Sequence, residues 1–154
     1  MNLDRWTKMF FLIVPLIFII LLINTPIKSQ AGSSKGHLGM GNLSWKKWDP
    51  QLVEELKRSQ TPTFIDFTAK WCFTCKINEK LVLETEEFKK LVDEHNLTLL
   101  LADWTHRDPI IGNWLQSQSV AGIPIYFVIN SKGELINLGE TISIDEIRKA
   151  IEEK

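Results

Sequence analysis

The sequence predicts an α/β domain, a central mixed β-sheet flanked by helices, preceded by one apolar N-terminal segment that reads as a transmembrane or signal segment. Three observations lead there. Apolar runs rich in β-formers at Thr63–Ala69 and Leu97–Trp104 alternate with helical periodicities, the pattern of parallel strands buried on both faces. Two further runs on either side of Ser131-Lys-Gly133 read as an antiparallel hairpin that closes the sheet. The two cysteines of the chain, Cys72 and Cys75, stand where the first of those strands gives way to a helix.

A chain of 154 residues has room for one globular unit of about 100–150 residues plus an appendage. With 18 Lys+Arg against 19 Asp+Glu the formal net charge is -1, which excludes the basic surface of a nucleic-acid-binding protein. Residues 1–8 form a basic head carrying Arg5 and Lys8. Residues 9–27 hold no charge and as helix would span roughly 28 Å, close to a hydrocarbon core of about 30 Å. Pro15 tilts or kinks such a helix without forbidding it. Ser29-Gln-Ala31 resembles a cleavage site, so a removable signal peptide is the alternative; the length of the apolar run and Lys28 favour an uncleaved anchor. Lysines follow the segment as well as precede it, so charge bias does not orient it. Export is read from the layout of basic head, apolar stretch and soluble domain.

Residues 28–42 include Gly32, Gly36, Gly39 and Gly41 and read as a flexible tether, with His37 and Met40 as solvated linker residues. The folded domain is expected over 43–154. Leu43–Trp48 suits a short edge strand. Asp49-Pro50 supplies a cap and a first helical proline for a helix to about Ser59 that buries Leu52, Val53 and Leu56. The strand Thr63–Ala69 follows, then a helix from Cys72 to about Leu83 and another over Glu86–Glu94. After the strand at Leu97–Trp104, Asp108-Pro109 repeats the cap, with Ile110, Ile111, Trp114 and Leu115 as the buried stripe of the next helix. Ile125–Asn130 and Leu135–Leu138 make the hairpin. Ser143 and Glu146 form a capping box for a last helix that turns Ile144, Ile147 and Ile151 inward.

The Cys-x-x-Cys pair carries the chemistry. At a helix start the first N–H groups lack internal partners and the macrodipole is positive, so a thiolate at Cys72 is stabilised. Cys72 is therefore the attacking sulfur, and Cys75, one turn further in, the resolving one. A purely structural disulfide closing so short a loop would restrain little of the unfolded chain. Half of a zinc site is the other reading, yet no second Cys pair exists and His37, His95 and His106 lack ligand spacing; no metal site is expected, and His95 and His106 read as surface residues. No cofactor is needed, because the sulfurs themselves carry the electrons. Asp66 lies inside an apolar run, where burial raises a carboxyl pKa unless the residue faces a solvated edge. Cys72, Cys75 and Glu79 follow i, i+3, i+7 spacing on one helical face, although a Glu between Lys76 and Lys80 is also an ordinary surface residue. Trp71 and Phe73 read as an apolar rim for partner docking, Lys76 as a solvated lysine, and Trp45, Trp48, Trp104 and Trp114 as packing residues.

Phe67-Thr-Ala-Lys-Trp-Cys-Phe-Thr-Cys-Lys-Ile-Asn-Glu79, followed by Ala102-Asp-Trp-Thr105 and Gly122-Ile-Pro-Ile-Tyr126, resembles the C-terminal thioredoxin-like domain of DsbD-type thiol:disulfide interchange proteins from about Trp45 onward. The resemblance implies the thioredoxin fold and a thiol-disulfide oxidoreductase of the protein-disulfide reductase type. It implies that Asp66 accepts the Cys75 proton and that Glu79 is a second acid whose repulsion with Asp66 raises one pKa and couples both to the thiols. It also implies a cis bond before Pro124, leaving the Ile123 backbone free to pair with an extended substrate strand. Partners implied are exported disulfide-containing proteins and a membrane electron donor, with the domain in the periplasm and the inner membrane as its anchor, or soluble periplasmic if the segment is cleaved. Oxidase, isomerase and cytochrome c maturation roles are alternatives, and a redox-inert binding module is the alternative of another class. Unlike the family's full-length proteins, this sequence shows no multi-span membrane domain.

Overall fold

The computed structural model describes residues 43–153; the expected apolar segment at 9–27 and tether at 28–42 lie outside the described residues. In chain order the elements are β1 (Trp45–Lys47), α1 (Pro50–Arg58), β2 (Thr63–Thr68), α2 (Phe73–Asn78), α3 (Glu86–His95), β3 (Thr98–Asp103), α4 (Pro109–Ser117), β4 (Ile125–Ile129), β5 (Leu135–Gly139) and α5 (Ile144–Glu152). The sheet order is β1-β3-β2-β4-β5, with β1 and β2 parallel to β3, and β4 antiparallel to both β2 and β5. This is the α/β architecture with a mixed sheet that the element order predicts. No described helix is long and apolar enough to cross a membrane.

Strand β2 is central because its continuous run of β-formers can be buried on both faces, and all six of its residues are buried. The period of two then divides the core. Ile65 and Phe67 point into a cluster with Val53 and Leu56 of α1 and Ile111 and Leu115 of α4. Phe64 points the other way, against Phe88, Leu91 and Val92 of α3 and Ile147 and Ile151 of α5. Asp66 and Thr68, in phase with Phe64, fall on that second face.

The caps are where the sequence puts them. The Asp49 carboxylate accepts from the Gln51 and Leu52 N–H groups, and that of Asp108 from Ile110 N–H. Ser143 Oγ accepts from Glu146 N–H, while the Glu146 carboxylate returns to that hydroxyl rather than to the backbone. In the β4–β5 turn Gly133 has φ +79°, and a Cβ there would overlap the Lys57 carbonyl oxygen, so only glycine fits.

Several expectations are corrected. The α-helix expected over Cys72–Leu83 covers only Phe73–Asn78, with Cys72 outside it as the cap; a π-helical turn, Glu79–Leu83, carries it on. Ile110 is exposed rather than buried, because the first turn of α4 projects it past the edge of the core formed by Ile111 and Leu115. In α5 the fully buried set is Ile147, Ala150 and Ile151, while Ile144 packs only against its margin. His95 is half-buried, with Nε2 3.6 Å from a Glu152 carboxylate oxygen.

Candidate active site

Strand β2 ends at Thr68, and Ala69–Trp71 turn the chain so that Cys72 caps α2 with extended backbone, φ -84° and ψ 101°. Cys72 and Cys75 are joined as a disulfide with Cα atoms 5.3 Å apart. The Cys75 backbone N–H donates to Cys72 Sγ at 3.2 Å, so one of the helix's orphan donors is aimed at the first sulfur. Cys72 retains 6% of its surface and Cys75 none, which makes the first sulfur the one a partner can reach. Ala69 and Ile123 pack against the pair. The Ile123–Pro124 bond is cis and Pro124 is buried. Through Ile123 the loop before β4 lies against the cysteine pair.

Around the disulfide, Trp71 is 48% exposed and Phe73 79%. Trp71 is fixed by its indole N–H, which donates to the Thr105 carbonyl at 3.0 Å. The Arg107 guanidinium lies over its ring at 5.1 Å and over that of Trp104 at 5.7 Å. Lys70 N–H donates to Thr105 Oγ1, and the Thr105 hydroxyl and N–H both donate to the Asp103 carboxylate. The loop after β3 thus clamps the loop before α2. Sequence reasoning singled out Trp71 but missed Arg107, which stacks on that ring from more than thirty positions away, and Asp103, which acts on the loop through Thr105.

Where the helix that carries the cysteines meets β2 and β4 lies a set of buried polar groups. Asp66 is fully buried, and neither carboxylate oxygen has a hydrogen-bond partner among the described residues. Desolvation pushes its pKa well above the usual carboxylate range, the nearby Glu79 charge adds to the rise, and Lys76 opposes it. Glu79 is buried, which overturns the surface reading of this residue: Thr68 Oγ1 donates to its Oε1 at 2.9 Å, and Lys76 Nζ lies 2.8 Å from Oε2. Across the strand pair from Asp66 stands Tyr126, whose hydroxyl accepts from Asn78 Nδ2 at 3.1 Å. Burial, chiefly, and then the Asp66 and Glu79 charges raise the Tyr126 pKa, against the Asn78 hydrogen bond. Thr68 was legible in principle, since it lies two positions from Asp66 on the same strand face. Asn78 and Tyr126 carried no such signal. Among the described residues no cluster of three His, Cys, Asp or Glu side chains could hold a metal ion.

Residues 44–131, more than half of the sequence, match the family described as thioredoxin-like. The chain belongs to that family. Its curated relatives include the thiol:disulfide interchange protein DsbD of two Campylobacter jejuni strains, each 26% identical over 102 residues, 66% of this chain and 18% of the relative. The chain thus matches less than a fifth of the length of those relatives. Among solved structures, the oxidised C-terminal domain of Neisseria meningitidis DsbD is 26% identical, with TM-score 0.51 over 64% of this chain and 85% of that one. Its reduced form, 24% identical, gives TM-score 0.54 over 68% of this chain and 99% of that one. A DsbH oxidoreductase shares the fold at 20% identity, with TM-score 0.56 over 74% and 88%. A thioredoxin-like fold of the DsbD C-terminal type with a Cys-x-x-Cys pair at a helix start makes this chain a thiol-disulfide oxidoreductase.

Proposed function

We propose that the chain is a membrane-tethered reductase of exported disulfide proteins, reloaded by an electron donor in the membrane. The observation that carries this reading is the Cys72–Cys75 pair itself, with the reachable sulfur at the helix start under the Cys75 N–H and the shielded sulfur one turn in. In the reduced form the same N–H and the helix dipole stabilise a Cys72 thiolate. That thiolate attacks a partner disulfide, forming a mixed disulfide and expelling one partner thiolate. Cys75 then loses its proton, attacks the Cys72 sulfur and releases the second partner sulfur, so two electrons pass from the dithiol to the partner. Burial that raises the proton affinity of Asp66 towards that of a thiol suits it to accept the Cys75 proton. Glu79 modulates that acceptor by its charge.

Trp71 and Phe73 would form the apolar rim on which a partner seats, and the Ile123 backbone beside Pro124 would pair with the partner's extended strand. Electron flow towards partners is supported by likeness to DsbD proteins. Placement of the domain (43–154) in the periplasm, tethered through 28–42 to the inner membrane by 9–27, is supported by the charge-free apolar run and the same likeness.

The test is a trap. In a Cys75→Ala variant the mixed disulfide cannot be resolved, so partners should accumulate covalently on Cys72 in membranes, where donor, acceptor and compartment are read together. Equal complementation by the wild type and a Cys72→Ser/Cys75→Ser variant would instead favour a redox-inert binding module.

A further inference from the structure

Glu79 has two hydrogen-bond partners that pull in opposite directions. Lys76, three residues earlier in the last turn of α2, has a half-exposed side chain, and its Nζ meets Oε1 at 3.2 Å and Oε2 at 2.8 Å from the solvent side. Thr68, buried at the end of β2, meets Oε1 at 2.9 Å from the sheet side. The Glu79 side chain is nonetheless 8% exposed, so the inner partner prevails. Its carboxylate therefore sits against the strand face that carries Asp66, two positions before Thr68 and in phase with it.

We propose that Thr68 is a positioning residue of the redox site: its hydroxyl holds the Glu79 carboxylate turned inward, and through that charge it sets how firmly Asp66 binds a proton. This rests on the reading of Asp66 as the acceptor for Cys75. In the resolving step the Cys75 thiol gives its proton to the Asp66 carboxylate and its sulfur bonds to Cys72. The electron pair of the broken mixed disulfide leaves on the partner sulfur, which takes up a proton. An inward Glu79 raises the proton affinity of Asp66 and strengthens it as a base; an outward Glu79, paired with Lys76 alone, lets it fall. The charged and titratable groups around Asp66 are Lys76 of α2, Glu79 of the π turn and Tyr126 of β4, while β3 offers Leu101. Of the neighbours on this face, Thr68 is an uncharged one whose removal changes no formal charge.

The experiment is a carbon-13 titration of the Asp66 carboxyl in the oxidised full chain in detergent, with Thr68→Val, Thr68→Ser, Glu79→Gln and the Thr68→Val/Glu79→Gln pair. Thr68→Val should lower the Asp66 midpoint by roughly 0.5–1 pH unit, the size of effect expected when a neighbouring like charge recedes. Thr68→Ser, which keeps the hydroxyl, should leave it in place. On the Glu79→Gln background Thr68→Val should add no further shift, because its effect acts through Glu79. At neutral pH resolution of a preformed mixed disulfide should slow by about two- to fivefold in Thr68→Val. A residue that only packs would lower the melting temperature of the valine variant and leave the midpoint untouched; that result, or an equal shift on the Glu79→Gln background, overturns the proposal. Wild-type resolution by Asp66→Asn would remove Asp66 as the acceptor, and is told apart because the midpoint shift is read on Asp66 itself.

Discussion

On the face of the sheet covered by α1 and α4, Trp48, Phe67, Trp114 and Phe127 form a cluster of aromatic rings with centroids 5.1 to 5.8 Å apart, packed with Ile65, Leu100 and Leu115. Among the described residues no carboxylate is buried there. On the face covered by α2, α3 and α5, Phe64, Phe88 and Tyr126 make a comparable aromatic stack, but Asp66, Thr68, Asn78 and Glu79 share the space. Both faces are supplied by the same strands, one residue out of phase. One face can be filled with rings that contribute stability, and the other holds polar groups whose burial costs stability and tunes proton transfer. The helix that carries the redox pair contributes Asn78 to the second face, and Glu79 follows it there.

The contrast can be broken most sharply with the cysteines. Cys72→Ser should abolish turnover of disulfide substrates while leaving the fold intact, as read by insulin reduction alongside circular dichroism. Phe67→Ala, on the opposite face, should do the reverse: a loss of about 3–5 kcal/mol in denaturant unfolding, with thiol reactivity per folded molecule unchanged. If the alanine variant instead lost reactivity while folded, the two faces would not be separable.

Asp66→Asn sharpens the same contrast through pH. The folded-state pKa of Asp66 is raised above its unfolded value, so between the two the folded protein binds more protons than the unfolded one. Its contribution is harmless below about pH 4, and stability is lost as pH rises through and above that value towards the folded pKa. Asp66→Asn should therefore stabilise the fold at pH 7 and lose that advantage near pH 4, measured by urea melts at both, while resolution of mixed disulfides slows. The smallest effect is expected at the rim. Phe73→Ala, truncating a side chain 79% exposed, should raise KM for a protein disulfide by about fivefold and leave reduction of a small-molecule disulfide unchanged.

What could be read in the sequence follows the same division. Continuous apolar runs identify β2 and β3, and Asp49-Pro50, Asp108-Pro109 and Ser143 mark helix starts, because those signals are local. Asp66 was legible because a lone carboxylate in such a run has few places to go. Glu79 was ambiguous, since between two lysines it looks like any surface acid; only the turn from α- to π-helix at that residue and the hydroxyl of Thr68 decide that it points inward. The Arg107 stack on Trp71 and the Asn78–Tyr126 bond join positions far apart in the chain, and no periodicity encodes them.

Everything on the active face presupposes that Cys72, once reduced, is the thiolate that attacks. The direct measurement is the pH dependence of alkylation of that thiol in the reduced chain, with Cys75→Ala to isolate it. The account predicts a midpoint clearly below the free-cysteine value of about 8.5; a midpoint at or above that value would contradict it.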